Sequence, residues 1–118
     1  MNRQLKQGTL DLILLSTLEK DALYGLEILK EVSIRTRGAF DFKEGSLYPA
    51  LHRLVRAGWV ETFWQDSTTG GAPRKYYLLT DEGRKACGEK KAEWQVLRNA
   101  LDAIVNRFGS SFLGQAAR

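Results

Sequence analysis

Cysteine and histidine are almost absent from this chain: Cys87 and His52 are the only examples among 118 residues. An internal disulfide is therefore impossible, and neither a thiol pair nor a cysteine-rich metal site can be assembled. Enzymatic chemistry is disfavoured on the same ground, because His52 stands alone on a helix face and Cys87 has no recognisable base partner. Cys87 reads most simply as a small buried residue, with redox sensing as the alternative. No glycine-rich phosphate loop follows a strand, since Gly70 and Gly71 lie inside a hairpin and lack the accompanying lysine pattern. Long apolar runs are missing too. No stretch approaches the roughly 18 uninterrupted apolar residues of a membrane span, and the first residues lack the basic-then-apolar layout of a secretion signal. The expectation is a cytoplasmic chain that uses no cofactor, metal or membrane, with a single small core at 43% hydrophobic content.

What is present is an uneven distribution of charge. The formal net charge is +4. Residues 1–34 hold four basic and five acidic side chains, residues 35–91 eleven and seven, and residues 92–118 three and two. The middle segment carries the excess. A local cationic surplus suits a polyanion, because neutralising phosphates releases counterions. A solvated basic surface is the bland alternative.

Residues 5–19 contain Leu5, Leu10, Leu12, Ile13, Leu14, Leu15 and Leu18, a density that wraps most of the way round a helix. Such a helix must be covered on more than one side, which in so small a protein implies a second subunit. A second helix is predicted from about Tyr24 to Thr36, with Tyr24, Ile28, Leu29 and Val32 inward and Gly38 at its end. Gly25 within it points to the close approach of another group. The third helix is predicted to begin near Ser46 as its cap, to hold Pro49 in its first turn and to stop at Gly58. At 100° per residue, Leu47, Ala50, Leu51, Leu54 and Val55 share one arc, and Tyr48, Pro49, His52, Arg53 and Arg56 share the other. The second arc, with an aromatic, an imidazole, two guanidiniums and no acid, is equipped for base edges and phosphates. Read in isolation, it is also an ordinary solvated helix exterior.

Trp59–Trp64 and Tyr76–Leu79 are predicted to pair as a two-stranded hairpin around a turn-rich loop. Pro73 stiffens the loop exit and directs Arg74 and Lys75 outward. Thr80 caps a last helix continuing to about Arg107, roughly 40 Å long. In it Trp94, Leu97, Leu101, Ile104 and Phe108 recur at steps of three, four, three and four, the spacing of a coiled-coil seam. The fold class is thus mainly α with a small two-stranded hairpin, a winged helix-turn-helix with a long C-terminal dimerisation helix. Residues 1–80 form the winged part, 81–108 the dimerisation helix and 109–118 a tail of uncertain order.

These residues also resemble a known family. Gly45, Ser46, Leu47, Tyr48, Pro49, Ala50, Leu51, Arg53, Leu54, Gly58 and Val60 are similar to the recognition-helix signature of PadR transcriptional regulators. Gly70, Gly71, Pro73, Arg74, Lys75, Tyr76, Tyr77, Leu79, Thr80 and Gly83 look like that family's wing and the lead-in to its final helix, and Tyr24, Gly25 and Ile28 like the start of its second helix. The resemblance spans about residues 5–107; Ser46 stands where a threonine is often found, and both hydroxyls can cap. It implies a dimeric winged-helix repressor of the compact branch, in which the last helix of each subunit packs against the first and last helices of its mate. Larger members carry a longer C-terminal region, absent here.

On this basis the recognition helices of a homodimer read an inverted-repeat operator in double-stranded DNA, about one helical turn or roughly 34 Å apart. Tyr48, Pro49 and His52 are assigned to base edges and nearby sugars, and Arg53 and Arg56 to bases and phosphates. Lys43, Ser46, Tyr24, Arg74 and Lys75 are assigned to the backbone, and the wing tip at Gly70 and Gly71 to the minor groove. The dimer interface is expected from Leu5, Leu12, Leu15, Trp94, Leu97, Leu101, Ile104 and Phe108. Some compact PadR members bind flat, often cationic compounds between subunits, and the resemblance points to Trp94, with Asp11 and Leu15 near by, as such a site; ordinary interface packing is the plainer reading of Trp94. The rival from another class is a dimeric winged-helix adaptor that binds protein rather than specific DNA.

Overall fold

A helix as crowded with leucine as the first one is stable only if most of those leucines leave water, at about 1.5–3 kcal/mol for each one fully buried. A computed structural model describes residues 3–106, with side chains from residue 7 onward. In it α1 (Arg3–Thr17) sends Leu14 and Leu15 into the core at 0% exposure, and Leu18 follows just beyond its end. Leu15 was expected to face a mate and an effector; it is enclosed by its own chain instead, because two further helices close over that side of α1. α2 (Gly25–Arg35) adds Ile28 and Val32, and α3 (Glu44–Arg56) adds Leu47, Ala50, Leu51 and Leu54. The same cluster takes in Val60, Tyr77, Leu79 and Cys87.

The expected hairpin is one edge strand larger. β2 (Val60–Gln65) and β3 (Arg74–Leu79) pair antiparallel from Val60↔Leu79 to Gln65↔Arg74, and β1 (Leu23–Tyr24) adds to the far side of β3 through Leu23↔Tyr77 and Tyr24↔Tyr76. The three-stranded order is β1-β3-β2. Aromatic contacts cross the sheet: Tyr76 stacks on Phe63 at 5.3 Å and meets Tyr24 edge-on at 5.5 Å, the offset and T-shaped arrangements that ring quadrupoles favour.

α3 starts earlier than Ser46 suggested. Lys43 is its N-cap, with extended backbone, and Glu44 in the first turn complements the helix dipole. Ser46 is therefore a helical residue. Pro49 lies inside the helix rather than in its first turn, so the hydrogen bond an N–H would give to the Gly45 carbonyl is missing. Val55 also departs from the expected inner arc, being 37% exposed. Gly58, at φ +81°, reverses the chain after α3, a conformation side-chain-bearing residues avoid. Gly25 allows a close approach: a Cβ there would meet the end of the Tyr48 ring from α3, which would have to shift to admit a larger residue.

Thr80 caps α4 (Asp81–Val105) as expected. Its Oγ1 accepts from the Gly83 N–H at 2.9 Å and donates to the Gly58 carbonyl at 2.6 Å, so one hydroxyl satisfies a helix start and a turn. A Cβ on Gly83 would collide with the Trp59 carbonyl. The chain divides into two compact units, Met1–Cys87 and Gly88–Arg118. The first holds the core, the sheet and the first turns of α4; in the second, residues 91–106 are all exposed. The Leu5 side chain, Phe108 and the tail at 109–118 lie outside the described residues. No helix among the described residues is long and apolar enough to cross a membrane.

Candidate nucleic-acid interface

The outer arc of α3 exists as a surface. Tyr48, Pro49, His52, Arg53 and Arg56 line one open depression, because Leu47, Ala50, Leu51 and Leu54 anchor the opposite arc in the core. Pro49, His52 and Arg56 are exposed, while Tyr48 and Arg53 are half-buried. A second hollow adjoins it, lined by Tyr24, Gly25, Leu26, Tyr48, Trp64, Arg74, Lys75 and Tyr77. Tyr48 borders both, so helix and wing share one continuous face.

The two wing cations do not project freely. The Arg74 guanidinium lies 4.6 Å from the centroid of the Tyr24 ring. Lys75 Nζ lies 6.0 Å from the Trp64 ring and 5.8 Å from the Tyr77 ring. Such cation–π contacts hold the head groups at the wing root without neutralising them. The loop tip, with Gly70 at φ +84° and Gly71, is exposed. Trp64 was missed in the sequence. It is 67% exposed and sits across from Lys75 in the register. The period-two alternation of β2 was the available signal, since it sets Trp64 on the opposite face from Phe63.

Burial pushes the Tyr48 phenol above its usual value of 10.0, and the Glu44 carboxylate adds to the effect. Burial likewise raises Tyr77, followed by the influence of Tyr48. Both phenols are therefore protonated at neutral pH, and Tyr48 is a hydrogen-bond donor at the junction of the two hollows. Ser46 is exposed near the start of α3. Lys43 Nζ lies 3.9 Å from Asp41 Oδ2 with both side chains largely exposed, a pairing too loose to hold the lysine back from another anion.

Arg53 differs from the other cations of the arc. Its Nη2 donates to Asp11 Oδ1 at 2.7 Å, with the side chains 32% and 13% exposed. Asp11 is thus engaged with α3, and with Leu15 enclosed neither residue is open to an effector as the sequence suggested. Leu12 is half-buried on α1. In the second unit Trp94 and Leu97 are each 47% exposed, Leu101 51% and Ile104 73%. At 100° per residue Val105 joins the same stripe. The Arg98 guanidinium lies 5.5 Å from the Trp94 ring centroid. Cys87 is fully enclosed, with the Ser16 hydroxyl 3.8 Å from its sulfur. Among the described residues no group of three His, Cys, Asp or Glu side chains could hold a metal ion.

Comparison with known proteins agrees with this arrangement. The family model of the transcriptional regulator PadR-like family matches residues 14–89. An uncharacterised protein of Lysinibacillus sphaericus is 39% identical over 100 residues, covering 84% of this chain and 90% of that one. A transcriptional regulator from Clostridium thermocellum has a similar structure, with a TM-score of 0.77 and 31% identity over 89% of this chain and 98% of its own. A PadR family transcription regulator from Clostridium difficile gives a TM-score of 0.70 and 35% identity, covering 80% and 96%.

Proposed function

Because the chain belongs to the PadR-like family of transcriptional regulators, DNA-binding proteins rather than enzymes, we propose that it is a ligand-responsive repressor that binds an inverted-repeat operator as a homodimer. One observation carries the reading: the basic and aromatic arc of α3 and the aromatic-held cations of the wing root meet at Tyr48 in a single face. A helix of this size fits the major groove, and a hairpin beside it reaches the flanking backbone.

In this reading Tyr48, Pro49 and His52 meet base edges and sugars, while Arg56, Arg74, Lys75 and Lys43 neutralise phosphates. Ser46 and Tyr24 donate to the backbone, Trp64 packs on the sugar edge beside Lys75, and the loop at Gly70 and Gly71 enters the minor groove. Arg53 is reserved for the base side, since its charge is already met by Asp11.

A second copy of the chain covers the exposed stripe of α4. Its spacing is that of a seam, and Trp94, Leu97, Leu101 and Ile104 each keep about half or more of their surface exposed. Leu12 of α1, half-buried within its own chain, adds to that interface. Two-fold symmetry then sets the recognition helices about 34 Å apart, one turn of duplex. The effector is a planar aromatic or cationic compound that stacks on Trp94, whose ring face already accepts the Arg98 guanidinium.

Selection of genomic fragments on the purified protein, followed by sequencing, tests the reading. It should enrich an inverted repeat with half-site centres about 10 base pairs apart. Weak binding without sequence preference would instead support a protein-interaction adaptor. Indole quenching by planar cationic dyes, lost in Trp94→Ala, is the outcome expected for the effector site, and an unresponsive Trp94 across a broad dye panel would remove that part.

A further inference from the structure

The two arginines on the outer arc of α3 are not equivalent. Arg56 is exposed, whereas Arg53 is half-buried and donates from Nη2 to Asp11 Oδ1 at 2.7 Å. Asp11 belongs to α1 and has only 13% of its side chain in contact with solvent. A guanidinium joined to a carboxylate at this distance presents little net charge to an approaching polyanion. A phosphate that drew Arg53 away would leave Asp11 partly desolvated and unpaired, which costs more than an exposed phosphate contact returns.

We propose that Asp11 is a specificity-determining positioning residue of the DNA-reading face, which withholds Arg53 from nonspecific phosphates and reserves it for a base edge. The inference rests on the DNA-binding reading above. A guanidinium has five N–H donors in a rigid fork. Asp11 engages the fork through Nη2 and so limits how far it can swing, while the exposed part of the side chain stays on the depression it lines with Tyr48, Pro49, His52 and Arg56. Nonspecific affinity is set by the cations that displace counterions, each contributing about 0.9 to the slope of log K against log salt. Removing Arg53 from that number weakens binding to every random site, while a base contact already aligned by Asp11 keeps its value. Discrimination is a ratio of affinities, and it grows when the unwanted one falls.

The test is a salt titration of random-sequence duplex and of the selected operator with the full chain and three variants. Asp11→Asn keeps the size of the side chain and frees the arginine charge. It should steepen the random-duplex slope by about 0.9, adding a roughly 3.5-fold loss between 50 and 200 mM salt, and lower the operator-to-random ratio. Asp11→Asn with Arg53→Gln exchanges one neutral pair for another and should restore the wild-type slope, while Arg56→Gln should flatten it by about 0.9. A slope unchanged in Asp11→Asn overturns the proposal. So does a double variant as steep as Asp11→Asn, which would mean the carboxylate acts on DNA without Arg53. A double variant as flat as Arg56→Gln overturns it as well, since Arg53 would then already contact phosphate; this comparison holds even if Asp11→Asn alone fails to fold. Absence of salt-dependent duplex binding by the wild type would instead defeat the DNA-binding reading itself.

Discussion

The two units of the chain use leucine in opposite ways. In the first, Leu14, Leu15, Leu47 and Leu51 reach 0% exposure within their own subunit. In the second, Leu97 and Leu101 on α4 keep about half of their surface in water at the same residue size. Within the first unit apolar surface stabilises a fold. In the second it is available to stabilise an assembly, because the described residues of that unit form one helix, and residues 91–106 are all exposed.

Breaking a leucine in each unit should separate these roles most sharply. Leu51→Ala should lower the unfolding free energy by about 2–5 kcal/mol in a denaturant titration, from lost transfer energy and the cavity left behind. Leu97→Asp with Leu101→Asp should leave the helical spectrum of the first unit intact, shift light-scattering mass to that of one chain and reduce operator affinity by at least about 100-fold, since each half-site is then held alone. A doubly substituted protein that remains dimeric would show that the stripe is not the seam.

The glycines of α4 sharpen the same comparison. A Cβ on Gly83 meets the Trp59 carbonyl, whereas nothing lies within 4 Å of one on Gly88. Gly83→Ala should therefore destabilise by roughly 1–3 kcal/mol, and Gly88→Ala should stabilise by up to about 1 kcal/mol through helix propensity. Equal effects from the two in thermal unfolding would contradict the packing described for the start of α4.

Much of this was legible in the sequence because it is periodic. The opposed arcs of α3 follow from 100° per residue, and the arc assigned to DNA does form one surface. Thr80 was readable as a cap because its hydroxyl stands immediately before a long helical run. β1 was not readable, since two residues have no periodicity and their partners, Tyr76 and Tyr77, lie far along the chain. Leu15 was misplaced because a helix apolar nearly all round offers no unique inner face. The pairing of Asp11 with Arg53 joins positions 42 apart, and no local pattern signals such a contact. The boundary of α3 moved because Ser46, a good capping residue, lies within the first turn rather than before it.

Smaller effects concern the face itself. Arg74→Ala with Lys75→Ala should flatten the log–log salt dependence of duplex binding by about two units, and an unchanged slope would show that the wing root does not touch phosphate. The two phenols give the mildest expectation. Tyr48 and Tyr77 hold their protons more tightly when folded than at their usual value of 10.0, so the unfolded chain ionises first as pH rises. Their contribution to stability is therefore complete below about pH 10 and is lost as pH climbs through the folded values. Tyr48→Phe should make the alkaline fall in melting temperature shallower; an identical slope would remove this contribution.

If paired copies place two α3 helices in successive grooves of one duplex, inserting five base pairs between the half-sites of the selected operator should disrupt binding. That half turn moves one half-site to the opposite side of the duplex. Affinity should fall at least about 10-fold and recover in part when the insertion is extended to a full turn. Equal affinity for all three duplexes would contradict that placement.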